Sequence, residues 1–421
     1  MRGAPTPARD ILIERGGTGH GEPSRLVVLD CIRGIAALVV VVHHCLLTQP
    51  AFSDFFFSNW RTEAGSTLEW VMFHTPLRIV WDGYEAVTLF YVLSGLVLAL
   101  PWIEGRSPNY FSYGIKRICR IYLPYCAAVA AAAVLNTLLV SYAAVPGLSA
   151  WVNTMTWTHP VYPHVLLDHA LMIGHYNSVN GVVHSLIWEL RVSLLFPVLI
   201  VPIVRWRRWG ALGVAVALTV LIGGIQLAYG GSAPALDLVQ PGSVVGGVGR
   251  FALELQWTAY YGYFFVLGSV LANHLGTLRR LGRIAWVLLA AGLLTIQGHW
   301  SHLHAVQEFM VAIGAALIIM AALPQGSIHT ALSHRWLRWI GRISYSLYLV
   351  HVPLLLTATI LLHGIVPMAA ILIAVPLASL LVGWGFHEWV AEPCARLGKR
   401  LAHQNGSLLG GVRWPVLGSA R

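Results

Sequence analysis

The sequence is poor in charge. Only 10% of its 421 residues are Asp, Glu, Lys or Arg, whereas 57% are hydrophobic. Soluble domains carry about 25% charged residues, so this chain has too few charges to cover the surface of a soluble protein of its length. Its apolar residues also form runs of about 20, the length that crosses a bilayer as a helix. The composition therefore predicts an all-α membrane protein.

Cysteine and cofactor motifs are also scarce. The five cysteines form no CxxC pair and no metal-ligand spacing, so we expect free thiols. No phosphate-binding glycine loop, HExxH motif or dinucleotide-binding glycine pattern occurs in a plausible setting. We therefore expect no metal site and no tightly bound cofactor. The net charge of +10 needs no nucleic acid as partner, because cytoplasmic loops of membrane proteins are rich in Arg and Lys.

Ten apolar segments are long enough to be transmembrane helices. They cover residues 26–47, 86–103, 121–143, 186–204, 210–228, 257–275, 284–300, 306–323, 341–362 and 366–387. Residues 160–175 are too broken by Pro and His to be assigned with them, and they are predicted to be re-entrant or interfacial. Residues 1–25 predict a disordered cytoplasmic tail, residues 26–398 one membrane domain, and residues 399–421 a second cytoplasmic tail.

The basic residues indicate which side of the membrane each connecting segment faces. With the N-terminus in the cytoplasm, 22 of the 27 Lys and Arg residues fall in cytoplasmic segments and only three fall outside. This distribution follows the positive-inside rule and, with ten spans, predicts that both termini are cytoplasmic. The long outer segment 48–85 is rich in aromatic residues, and we expect it to form an interfacial cap rather than a substrate lid.

Titratable side chains within the predicted spans are the candidates for chemistry, because each costs about 2.5–3.5 kcal/mol to insert. They are Asp30, Arg33, His43, His44, Glu189, Arg191 and His351. Arg33 and His44 are 11 residues apart, which at about 100° per residue places them on one helix face, about 16 Å apart along the axis. His43 lies about 80° from that face. Asp30 is one turn before Arg33 and could pair with it.

Two pairs of charged residues lie in later parts of the chain. Glu189 and Arg191 are two residues apart, so they point in different directions on a helix and each needs a partner from another span. Arg117 and Arg120 lie in a basic cluster on the predicted cytoplasmic side. Such a cluster suits a phosphate-bearing ligand, although ordinary positive-inside charge explains it equally well.

Structural alternatives exist for several candidates. Ser94 precedes Gly95 in FYVLSG, and alone this pattern indicates close helix packing. A lone histidine such as His351 within a span is more often structural than functional. Arg33 can simply mark the cytoplasmic end of the first span. His44 can be a histidine at the membrane interface whose ring nitrogens have hydrogen-bond partners.

Five ordered segments resemble motifs of the acyltransferase-3 family of integral membrane O-acyltransferases. They are LDCIRGIAALVVVVHH, with Arg33, ten residues and then His44; FYVLSG; KRICRIYLP; SLIWELRVSLLFP; and ISYSLYLVHVPLL. Together they extend over about residues 25–400. Two positions depart from the family pattern: His184 stands where Trp is common, and the basic segment has an extra residue before Pro124.

The resemblance implies acyl transfer from a cytoplasmic acyl-CoA, with an acetyl or longer acyl group, to a hydroxyl of a surface glycan, a lipid or a small molecule such as an antibiotic. It implies His44 as the base or acyl-transfer residue, Arg33 as a required group beside it, and Glu189 as the residue that orients or charge-matches the site. The set expected to bind substrate is Arg117, Arg120, Ser94, His351 and Asp30. The expected surroundings are membrane lipids, in a bacterial plasma membrane.

Two other functions stay open from the residues alone. A transporter or exporter would use Arg33, His44 and Glu189 as a relay, but no inverted repeat with paired broken helices is visible in the sequence. A structural membrane subunit would need the same residues for assembly and not for turnover.

Overall fold

The computed structural model describes residues 24–58, 63–106, 109–140, 145–155, 157–174, 176, 178–228, 247–298 and 304–408. No β-strand occurs in these ranges, which confirms the predicted all-α class. The α-helices are α1 (Ser24–Leu47), α2 (Pro50–Phe57), α3 (Thr67–His74), α4 (Gly83–Ile103), α5 (Tyr110–Arg117), α6 (Leu123–Leu139), α7 (Ala150–Met155), α8 (Pro163–Ala170), α9 (His184–Ala228), α10 (Gly247–Asn273), α11 (Leu275–Leu278), α12 (Ala285–Gln297), α13 (His304–Ala322), α14 (Ser327–Leu332), α15 (Arg335–Leu362), α16 (Met368–Phe386) and α17 (Glu392–Leu408).

Each of the ten predicted spans coincides with a helical segment. Two of them fall within α9, whose 45 residues would measure about 67 Å as one straight helix, twice the thickness of a bilayer core of about 30 Å. The helix breaks at Arg207, where φ is 48° and ψ is −120°. Gly210 then lies directly against the carbonyl of Pro202, so the chain reverses and α9 is two helices.

Seven helical runs in the described part of the chain are long and apolar enough to cross a membrane, and Val306–Ala322 is a shorter apolar helix. The run through α9 consists of two helices because of its break. The number of ten spans and the cytoplasmic position of both termini stay predictions. The predicted tail 1–25 lies outside the described residues up to residue 23, and so does the chain after residue 408. Helix α17 continues through the predicted boundary at residue 398 without a break.

The predicted third span begins earlier than its apolar residues indicate. A π-helical segment, Ile118–Tyr122, joins α5 to α6, so one helical run extends over Tyr110–Leu139. The basic cluster is therefore helical and continuous with the span. Its charged residues lower the mean hydropathy of this part of the helix, so a search for apolar runs does not find where the helix begins. A π-turn holds more residues than an α-turn, and this is the segment that has an extra residue before Pro124.

Two close helix crossings hold the centre of the bundle. Helix α1 crosses α15 where Gly34 meets Gly341, and a β-carbon added to Gly34 would lie 2.6 Å from the Gly341 backbone nitrogen. Helix α4 crosses α10 at Gly95 and Gly268, and a β-carbon on either would overlap the backbone of the other helix. Small residues let backbones approach in this way, so the glycines place α1, α4, α10 and α15 around one interior.

The described residues of segment 48–85, which follows α1, fold over the end of that helix. Phe52 and Phe55 of α2, Phe73 of α3 and the fully buried Trp81 form one aromatic cluster, whereas Trp70 of α3 is exposed. An exposed aromatic residue beside a buried aromatic cluster suits the membrane interface. Among the described residues of 160–175, the one α-helix is the short α8, and the five cysteines are free thiols.

Candidate functional site

Arg33 and Glu189 line the same narrow cavity between α1, α4, α9 and α15. The other lining residues are Val87, Phe90, Tyr91, Ser185, Leu186, Ser344, Tyr345 and Tyr348. The cavity volume is about 30 Å³, enough for about two water molecules. Two residues that the sequence singled out on different spans are therefore brought together at one internal surface.

Arg33 occupies this position because of the glycine next to it. Gly34 allows α15 to approach α1 closely, and this places the guanidinium beside the residues of α15 that line the cavity. The Nε of Arg33 is buried and has no hydrogen-bond partner among the described residues. Buried donors are nearly always paired in native proteins, so this Nε–H is a place where an acceptor oxygen of a ligand can bind.

Glu189 is held by a serine of α4. The Ser94 hydroxyl donates a hydrogen bond to Oε1 of Glu189, with 3.0 Å between the oxygens. The neighbouring Gly95 packs against α10. The FYVLSG segment therefore makes the close helix contact that its small residues indicate, and it also contributes a hydroxyl to the cavity-lining carboxylate.

Arg191 takes a different partner and leaves the cavity. It forms an ion pair with Glu254 of α10 and donates hydrogen bonds to the carbonyls of Met172 and Ile173, at 2.7 and 3.0 Å. The expectation that Glu189 and Arg191 pair with other helices is confirmed. Arg191 joins α9, α10 and the segment that follows α8.

His44 lies in the last turn of α1 and contacts a second histidine, His351 of α15. The His44 Nδ1 and the His351 Nε2 are 3.2 Å apart. His44 also bonds through Nδ1 to the carbonyl of Val40 at 2.9 Å, and no described residue bonds to its Nε2. His351 is almost fully buried, whereas His44 is half-buried. The adjacent ring of Trp151 is 5.7 Å from that of His44, between centroids.

His43 takes its hydrogen bond outside this site, although its ring also contacts the ring of His44 edge-on, with 5.1 Å between the centroids. Its Nδ1–H donates a hydrogen bond to the carbonyl of Trp81 at 2.8 Å, its ring stacks on the ring of Trp81, and Gly83 lies against it. The helix angle separates the two adjacent histidines as the sequence indicates. His43 packs into the outer aromatic cluster, and His44 faces α15.

A tyrosine links the cavity to the histidine pair. The ring of Tyr348 is 5.8 Å from the ring of His351, between centroids, and its hydroxyl is 2.7 Å from the hydroxyl of Ser185. Arg33, Tyr348 and His44 therefore lie along one interior surface between α1 and α15. Arg33 and His44 are not neighbours, because they are about 16 Å apart along α1. One small group cannot touch both.

Arg120, of the basic cluster, interacts with charged residues of this interior. Its side chain is exposed, yet it interacts electrostatically with Asp30, Arg33 and Glu189. Arg120 does not line the cavity, but because it is exposed and interacts with two residues that do, we infer that it marks the mouth of the cavity. Arg117 instead places its guanidinium over the ring of Tyr113, 5.6 Å from the centroid.

Sequence reasoning missed the hydroxyl groups of the cavity, although they had a signal. Tyr91 is three residues before Ser94, Ser185 is four before Glu189, and Tyr348 is three before His351. These are the spacings of side chains on one helix face. A search along the face of each candidate residue would have found them.

The described residues contain no group of three or more His, Cys, Asp or Glu side chains that could hold a metal ion. The arrangement offers a histidine nitrogen free to accept a proton, an unpaired arginine donor, a carboxylate and a basic mouth. A protein-family model described as an acyltransferase domain matches residues 26–388, nearly the whole chain. The chain matches no curated protein and no solved structure.

Proposed function

We propose that this chain, which belongs to the acyltransferase-3 family and is a multi-pass membrane acyltransferase, transfers an acyl group from a cytoplasmic acyl-CoA to a hydroxyl of a sugar-containing acceptor. The acceptor is a surface glycan or a small molecule such as an antibiotic. The observation that carries the proposal is the interior surface on which Arg33 and Glu189 line one cavity and His44 presents a free Nε2.

Because Arg33 and His44 are far apart along α1, they contact different parts of an extended acyl donor. CoA has phosphates at one end and the thioester at the other, joined by a thin arm with amide carbonyls. Arg120, with Arg117 beside it, binds the phosphates at the mouth. The buried Arg33 Nε–H donates to an amide carbonyl of the arm, and the thioester lies near His44. Because the cavity is narrow, this donor needs the helices to separate slightly as it enters.

The chemical step uses the free nitrogen of His44. The acceptor hydroxyl gives its proton to Nε2 while its oxygen attacks the thioester carbonyl. A C–O bond forms and the C–S bond breaks, and the proton on Nε2 passes to the CoA sulfur. The products are an O-acyl ester and CoA thiol, and His44 returns to its starting state.

The proposal is tested with the purified protein in proteoliposomes. Acetyl-CoA carrying a radioactive acetyl group is added, with a bacterial envelope glycolipid fraction as acceptor. We expect protein-dependent label in the glycolipid that mild alkali releases, because alkali cleaves O-esters and leaves amides intact. Label that resists alkali would contradict transfer to a hydroxyl. If neither this fraction nor a panel of free sugars and glycosylated antibiotics is labelled, the sugar-containing acceptor is wrong.

A further inference from the structure

The protonation of the two histidines in the interior follows from what each ring contacts. The Nδ1 of His351 is 3.2 Å from the carbonyl of Leu347. A carbonyl only accepts, so this Nδ1 carries the hydrogen, and the Nε2 of the neutral ring carries a lone pair. The Nδ1 of His44 is 2.9 Å from the carbonyl of Val40 and must carry a hydrogen for the same reason.

This assignment gives the His44–His351 contact a direction. The His44 Nδ1–H is shared between the carbonyl of Val40 and the His351 Nε2, which is 3.2 Å away. With its hydrogen held on Nδ1, neutral His44 has its lone pair on Nε2. The only other neutral tautomer would place a lone pair on Nδ1 against a carbonyl oxygen and a second lone pair, which is repulsive.

We propose that His351 is a positioning residue for the acyl transfer, fixing the tautomer of His44 and stabilising it after it takes the acceptor proton. This inference rests on the proposed function. When His44 Nε2 accepts the hydroxyl proton, its ring becomes positively charged and its Nδ1–H bond to His351 becomes charge-assisted. In serine hydrolases a buried carboxylate orients the histidine in this manner. Here an imidazole does so, without placing a negative charge in the membrane interior.

The surroundings of His351 favour this role over simple packing. His351 is 1% exposed, and a chain of two ring contacts connects it to His44 and to Tyr348 of the cavity. An apolar side chain would fill the same space without burying a polar group. A histidine placed with its acceptor nitrogen toward His44 is needed only if that acceptor is used.

The test compares His351→Leu, which removes the acceptor, with His351→Gln, whose amide oxygen can replace Nε2. Acetyl transfer is measured in proteoliposomes at varied acetyl-CoA. We expect kcat to fall roughly 10²-fold or more in His351→Leu, with little change in KM, and to recover substantially in His351→Gln. The double variant His44→Ala with His351→Leu should be no slower than His44→Ala alone, because residues that act as a unit are not additive.

The controls separate this proposal from the proposed function. The exposed His403 of α17 provides a matched His→Gln variant, which should transfer acetyl groups like the wild type. His351→Phe replaces His351→Leu if the latter does not assemble. Full kcat in a folded variant without the acceptor, or equal loss in His351→Gln and His351→Leu, would overturn the role of His351. An inactive wild type would instead overturn the proposed acyl transfer.

Discussion

At the scale of single residues, contacts separate neighbours in the sequence and join residues that are far apart. His43 and His44 are adjacent, yet one is buried against Trp81 and the other meets His351, 307 positions later. Helix geometry predicts the first result, because adjacent side chains differ by about 100°. It cannot predict the second, because the partner depends on which helix packs against α1.

The Ser94–Glu189 hydrogen bond gives a prediction at this scale. Replacing Ser94 with Ala removes the donor that fixes the carboxylate, at a cost of about 1 kcal/mol, or roughly fivefold. We expect acetyl transfer to fall by about this factor or more while the protein still assembles. Ser94→Thr keeps the hydroxyl and serves as control. Equal rates for wild type and Ser94→Ala would show that the bond does not position Glu189 for turnover.

The basic mouth gives a second prediction. Arg120→Gln removes a charge-assisted contact to the CoA phosphates, each such contact contributing about 1.5–3 kcal/mol. We expect KM for acetyl-CoA to rise about tenfold or more, with a smaller change in kcat. Arg280→Gln, at an exposed position away from the cavity, should leave KM unchanged. If the two variants behave alike, the charge of Arg120 serves only membrane orientation.

At the scale of elements, glycine contacts determine how close α1 and α15 lie. Gly34→Ala should lower both the melting temperature in detergent and the acetyl-transfer rate, because the added carbon would push the helices apart beside Arg33. Gly213 of α9 has no atoms within 4 Å of an added β-carbon. Gly213→Ala should therefore be neutral or stabilising by about 1 kcal/mol, and it isolates the packing effect. A stable and fully active Gly34→Ala protein would contradict the close crossing.

The elements themselves were largely predictable from sequence, since runs of apolar residues mark helices that need a lipid or protein environment. The break in α9 was predictable too, because Arg205, Arg207 and Arg208 interrupt the apolar run. The π-helical segment that joins α5 to α6 was not predictable from the sequence, because it depends on hydrogen-bond register and not on composition. The start of that span was therefore placed too late.

At the scale of the whole molecule, exposed tryptophans lie near the ends of helices. Large exposed tryptophans lie at the helix ends that the charge pattern assigns to the cytoplasm: Trp206, Trp209, Trp286, Trp336 and Trp389. Tryptophan is enriched where a protein meets the membrane–water interface. Trp70 of α3, in the segment predicted to lie on the opposite side, is exposed too. Because tryptophan is enriched at both interfaces, this distribution is consistent with helix ends at a membrane surface, and the orientation stays a prediction from the charges.

The orientation can be tested with reporters fused after residue 421 and inserted after residue 230. A fluorescent protein that folds only in the cytoplasm should be bright at the first position and dark at the second. Alkaline phosphatase, which is active only outside, should give the reverse pattern. The same response at both positions would contradict ten spans with a cytoplasmic C-terminus, and it would leave the donor side of the cavity unassigned.

The site was less predictable than the fold. Arg33, Glu189, Ser94, His44 and His351 were each identified from spacing or motif, but their grouping depends on the crossings of α1, α4, α9 and α15. A single sequence carries no direct information on such crossings. The family resemblance implies Arg33 beside His44, whereas their spacing on α1 keeps them three turns apart along the axis.

The most direct test of acyl transfer through His44 is the rate of alkali-labile acetyl transfer by the wild type and by His44→Ala, each purified and reconstituted with radiolabelled acetyl-CoA. The account predicts measurable transfer by the wild type and a loss of roughly 10²-fold or more in His44→Ala, with both proteins equally assembled. His43→Ala, which leaves the interior histidine pair intact, should retain far more activity in whatever fraction folds. Wild-type rates in His44→Ala would contradict the central claim.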